Sequence, residues 1–347
     1  MKQPFKKMAA AILVGMLIQV SDLTAMEPTA VQGPITTDAT WGVKNSPYLV
    51  SEDLIVENGA TLTIEPGVEV RFLETVAGDH NSFSTPNTDL IIRGTLTAMG
   101  TGRHPIRFVL AGSGQNWGAI YFAQGSSEEC ILKNCFISKG RVICNYASPV
   151  IENCDLVEGG GIEVAYLAQP HIAKNRILRN TNGVTAWFYS SKLDLQYNVI
   201  TENQNGLYIK GFEQASVNNN LIYKNVKYDV YHVYPKNILL SDNWWGSSSL
   251  ERVRERIYDH SAEKRWGVVA VEPLARSIEV ALATPLPTET PTPQMPIIMT
   301  PIPVNTETPV PLPKPPKGLR RGKVGPLKNQ PTATPTPDEQ GLFKSNW

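Results

Sequence analysis

One short pattern recurs six times between residues 132 and 245: an aliphatic residue, two variable residues, Cys or Asn, one variable residue, then a large apolar residue. The copies begin at Leu132, Ile151, Ile172, Leu195, Val217 and Leu240, and their aligned positions are Cys135, Cys154, Asn175, Asn198, Asn220 and Asn243, spaced 19 to 23 residues apart. That is the period of one solenoid coil. A unit this short cannot bury its own apolar face, so it must stack on its neighbours. A second motif repeats in step at residues 161–164, 183–186, 206–209 and 229–232 (GIEV, GVTA, GLYI, DVYH). Each coil therefore supplies several short strands joined by tight bends, and the fold class is an all-β parallel solenoid.

The aligned Asn residues have a physical role in such a stack. An Asn at a bend tolerates unusual backbone angles and can hydrogen-bond both the turn and the Asn of the next coil, at the strand spacing of about 4.8 Å. Asn180, Asn203 and Asn225 form a second column of this kind. Four residues after each Cys/Asn lie Lys139, Glu158, Arg179, Glu202 and Lys224, whose signs alternate. Stacked like charges would repel, so the alternation supports the register. These regular positions read as scaffold.

Upstream, three- to five-residue segments alternate apolar and polar side chains between turn residues, the pattern of half-buried strands. The stretch SPYLVSEDLIVENGATLTIEPGVEVRF at 46–72 resembles the N-terminal coil of secreted right-handed parallel β-helix repeat proteins of the pectin-lyase-like superfamily. GTLTAMGTGRHPIRF at 94–108 and NWGAIYF at 116–122 extend the resemblance. NWWG at 243–246, followed by a short amphipathic helix over 249–259 and GVVAVEP at 267–273, resembles the closing cap of such proteins, with Trp244 and Trp245 as cap packing. Residues 73–89 read as a loop thrown out from the stack.

The ends set the compartment. Lys2, Lys6 and Lys7 precede an apolar run at 8–20, and Leu23-Thr24-Ala25 offers a cleavage site, so residues 1–25 read as a signal peptide. The run is shorter than a membrane span, and no span is expected in the mature chain. Residues 26–40 read as a leader, 41–275 as the solenoid with its cap, and 276–347 as a Pro/Thr-rich tail that cannot bury a core. The protein is expected to be secreted, extracellular or envelope-associated, and monomeric. With 32 basic and 32 acidic residues, no basic field points to nucleic acid. Cys130, Cys135, Cys144 and Cys154 fit either stacked free thiols or a disulfide, which export permits. Their spacing fits no common zinc pattern.

Two groups of side chains are candidates for chemistry. Thr185, Tyr208 and Tyr231 share an outward column, with Trp187, Tyr189, Phe212 and Tyr234 close in sequence. Rings on a rigid sheet suit stacking on sugar faces, so a polysaccharide or cell-surface glycan is the expected partner, bound without catalysis or cofactor. The other group is His171 and Asp194 with Arg176, in which a carboxylate could orient an acid or base and the guanidinium could hold a uronate. The resemblance implies lyase or glycoside hydrolase activity as one alternative, calcium entering only under the lyase form, and a structural or adhesive role as another. The paired acids and basic motifs of those enzymes have no clear counterpart here.

Overall fold

A computed structural model describes residues 27–74, 88–187 and 192–275. The proposed signal peptide and tail lie outside these residues, as do Tyr189 and nearly all of the loop read at 73–89. Among the described residues the chain winds as a parallel solenoid with three long sheets. Sheet I stacks nine strands from Thr29–Val31 to Leu221–Tyr223, sheet II nine from Leu54–Val56 to Ile257–Tyr258, and sheet III eight from Ala39–Trp41 to Gln214–Asn218. One coil shows the path. Val150–Glu152 lies in sheet III, Asp155–Val157 in sheet I and Gly161–Ala165 in sheet II.

The six-fold repeat supplies one wall of the core. Leu132, Ile151, Ile172, Leu195, Val217 and Leu240 all point inward and are buried. Fully burying such a side chain contributes about 1.5 to 3 kcal/mol. The glycine opening the second motif is required by close packing: a Cβ at Gly206 would lie 2.5 Å from the Asp229 carbonyl oxygen of the next coil.

Both Asn columns form continuous ladders. Asn175, Asn198 and Asn220 each donate from Nδ2 to the Oδ1 of the next residue in line, ending at Asn243, at 3.0 Å per step. Asn180, Asn203 and Asn225 repeat the arrangement, and the last of them donates to the carboxylate of buried Asp229 at 2.8 Å. One expectation is corrected here. The unusual backbone belongs to the residue before each ladder position: Asn153, Lys174, Tyr197, Asn219 and Asp242 at the first corner, Glu158, Arg179, Glu202 and Lys224 at the second, all with φ from 54° to 60°. That left-handed residue turns the chain, and the ladder side chain next to it satisfies the backbone groups the turn exposes.

All four cysteines are buried free thiols. Cys154 takes the place of an Asn: its Sγ donates to the Leu132 and Glu152 carbonyls at 3.4 Å, as Asn175 Nδ2 donates to Ile151, and its N–H donates to Asn175 Oδ1 at 2.8 Å.

The boundaries differ from the sequence reading at both ends. Thr29–Val31 pairs with Tyr48–Val50, and Ala39–Trp41 with Leu62–Ile64, so residues read as a leader form the first coil. The helix expected over 249–259 spans only Leu250–Arg254, capped by the Ser249 hydroxyl. Ile257–Tyr258 instead joins sheet II beside Val230 and Tyr231. Trp245 and Val253 are buried in this cap, as expected. No helix of the described residues is long and apolar enough to cross a membrane.

Candidate ligand-binding surface

The outward column of sheet II runs Glu163, Thr185, Tyr208, Tyr231, Tyr258, each in register with the next. Alternation along each strand places these side chains outside: Leu207 and Ile209 point into the core and Tyr208, between them, points out. Tyr208 and Tyr231 have ring centroids 5.1 Å apart, Tyr231 and Tyr258 4.7 Å. Tyr228 joins them, stacked on Tyr231 at 5.5 Å and tilted toward Tyr258 at 5.6 Å. The result is a continuous patch of four half-buried tyrosines on one rigid face. Burial and the neighbouring Tyr231 raise the pKa of the Tyr208 phenol.

Polar groups border the patch. Asn205 donates to Asn182 at 2.9 Å, in the column that continues to Tyr228. On the other side the Lys210 ammonium lies 3.6 Å from the Trp187 ring centroid and 5.0 Å from that of Tyr208. Burial lowers the pKa of Lys210, and the charge of Glu163 partly offsets this. Glu163 is itself paired with Arg141 at 3.1 Å.

The structure divides the sequence-derived rings. Tyr208 and Tyr231 form the ladder, and Trp187 flanks it with one face covered by Lys210. Phe212 is a correction: it is buried in the core, because its residue follows the strand into the corner and packs edge-on to Tyr234 at 5.7 Å. Tyr234 is half-buried against the same core. Tyr228 and Tyr258 were missed. The register offered a signal for Tyr228, three residues before Tyr231, whereas Tyr258 was hidden by its assignment to the helix.

His171, Asp194 and Arg176 do not form one group. His171 and Asp194 are register partners on sheet III, with Nδ1 3.3 Å from Oδ2, and Asp194 also accepts from Gln196 at 3.0 Å. Arg176 lies beyond the next corner on sheet I, clamped on Asp155 by Nε and by Nη2 at 2.7 Å. The trio is split because the corner at Lys174 and Asn175 separates the two strands. Another titratable group also escaped the sequence reading. Asp89 accepts from the Ala119 N–H at 2.6 Å, and burial pushes its pKa up to about 6.

With this geometry in hand, comparison with known proteins bears on the coils themselves. The family model for a right-handed β-helix region matches residues 110–244. The described coils form a right-handed parallel β-helix. The matched part of the β-helix takes in five copies of the repeat and all but the last residue of the sixth, and most of the tyrosine patch. No curated protein and no solved structure matches the chain.

Proposed function

We propose that this β-helix binds carbohydrate without transforming it, as an exported or envelope-associated protein, and that the glycan lies across sheet II. The observation that carries the reading is the in-register row Tyr208, Tyr231 and Tyr258, reinforced by Tyr228. Successive rings give each sugar an apolar face and a hydroxyl, and the Asn182–Asn205 pair adds amides for hydrogen bonding to sugar hydroxyls. The coil backbone holds the rings in place, so little ordering is needed on binding.

The test is retention of the full chain on a panel of immobilised polysaccharides, with the same samples assayed for new reducing or unsaturated ends. Retention without cleavage, weakened in Tyr208→Ala and Tyr231→Ala, is the expected result. Cleavage abolished by His171→Ala would replace the reading with an enzymatic one. Absence of both retention and cleavage on every glycan would leave the solenoid a structural or adhesive element.

A further inference from the structure

Sheet I presents a different outward face, across the corner that bears the alternating charges. Its strands there are three residues long, with the middle residue in the core and the two end residues outside. In register, Arg176, Val199, Leu221 and Trp244 form one outward row, and Leu178, Thr201 and Tyr223 form the other. Apart from Arg176, which is clamped on Asp155, the two rows carry no charge. A contiguous apolar face of this kind marks an interaction surface.

The face has a stepped relief. Val199 and Thr201 point outward yet are only 7% and 8% exposed, because they lie low between the longer side chains of the rungs on either side. The rung of Val199 and Thr201 is thus a trough, and the next, with half-buried Leu221 and Tyr223, is a ridge. A twofold axis parallel to the strands and midway between these two rungs turns the ridge of one copy onto the trough of another.

The charged corner selects the same axis. Glu202 and Lys224 directly follow Thr201 and Tyr223, and the Lys224 ammonium leans over the Tyr223 ring, 5.7 Å from its centroid. These charges therefore border the face. Lys224 has no salt-bridge partner among the described residues, whereas Glu202 shares Arg179 at 3.6 Å. An axis passing through a rung would set Glu202 on Glu202. An axis between the rungs sets Glu202 of each copy against Lys224 of the other, the self-complementary pairing that an isologous interface requires. The same operation lays Arg176 over Trp244, a cation–π pair.

We propose that two copies of this chain pair face to face through sheet I about that axis, with Leu221 and Tyr223 of each seated on Val199 and Thr201 of the other. Four rungs at the strand spacing cover about 400 Å² on each copy. That is about half of a standard-size interface, so the association is reversible and depends on concentration. The monomer expected from the sequence is then the dilute form. Sheet II takes no part in the contact, so the pairing does not rest on the glycan reading.

The experiment is sedimentation velocity of the full chain over a wide concentration range. The expected result is a sedimentation coefficient that rises from the monomer value toward that of a dimer, with the dissociation constant raised about tenfold in Lys224→Glu. Adding Glu202→Lys to that variant should restore it, an outcome that a folding defect would not give. Position is read from Tyr223→p-benzoylphenylalanine in a mixture of isotopically light and heavy chains, where photo-cross-links between copies should fall on the strand Val199–Thr201. A monomer at every concentration, a dimer indifferent to the charge exchange, or cross-links between copies on another face would each overturn the proposal.

Discussion

Tyr231 and Tyr258 hold their ring centroids 4.7 Å apart on adjacent rungs of one sheet, although the capping helix intervenes between them in sequence. The ladder thus extends past the repeat into the cap. Tyr258→Ala is expected to weaken glycan retention about as much as Tyr208→Ala, roughly five- to tenfold for loss of one stacking ring. Affinity electrophoresis of the two variants side by side checks this. Full retention in Tyr258→Ala would confine binding to the repeat.

Phe212 separates packing from binding. Its ring is buried, so Phe212→Ala should lower stability by about 3 to 5 kcal/mol. Urea denaturation measures that loss, and retention per folded molecule should be unchanged. A variant of native stability with lost retention would return Phe212 to the surface.

The first ladder predicts an expensive polar deletion. Asn198 Oδ1 accepts from both N and Nδ2 of Asn175, at 2.9 and 3.0 Å, and its Nδ2 donates to the Ile172 carbonyl at 2.9 Å. Asn198→Ala strands the Asn175 N–H and takes one partner each from Asn175 Nδ2, which keeps Ile151, and the Ile172 carbonyl, and the expected loss is about 3 kcal/mol. Denaturant titration tests it, and a change below about 1 kcal/mol would mean that buried water replaces the amide.

Asp89 gives a pH dependence of definite sign. Its folded pKa of about 6 lies above its ordinary 3.8, so between these values the folded state binds more protons than the unfolded one. Its contribution to stability is present at low pH and is lost as pH rises through about 6. Between pH 7 and pH 5 it should add about 1 kcal/mol, a gain that Asp89→Asn removes. Buried His232, whose pKa is lowered by burial, acts in the opposite direction, and the difference between wild type and variant cancels its effect. Identical pH profiles for the two proteins would assign Asp89 an ordinary pKa.

The alternating charges are worth less. Arg179 reaches Glu158 at 3.2 Å and Glu202 at 3.6 Å, with all three side chains about half exposed. Arg179→Glu stacks three acids in a row and should cost about 1 kcal/mol in dilute buffer, less at high salt. Thermal melts at two ionic strengths read both the size and the screening.

The coil stack was legible because it rests on periodicity. The inward column from Leu132 to Leu240 and both Asn ladders follow from spacing alone, and Tyr208 and Tyr231 followed from the same register. Features that depend on non-repeating contacts were not legible. The strand at Thr29–Val31 is a three-residue edge with no alternation long enough to read. Leu250, Val253 and Ile257 are spaced for a helix, yet pairing with Val230 draws Ile257 into sheet II. Phe212 stands close to the outward column in sequence, and only the path of the corner turns it inside. The separation of Arg176 from His171 likewise depends on which side of the bend each residue falls.

The second Asn ladder ends on a carboxylate, and that ending has an electrical meaning. Every amide in the row accepts at Oδ1 from the coil before it and donates one N–H toward the C-terminal end of the solenoid, so the side-chain dipoles add head to tail and polarise one another. The ladder thus resembles a helix macrodipole built from side chains, with its positive pole at Asn225. Asp229 places a negative group at that pole and Arg256 stands 3.6 Å from it, so the last coil is fitted with the counter-charge that the row of neutral amides calls for.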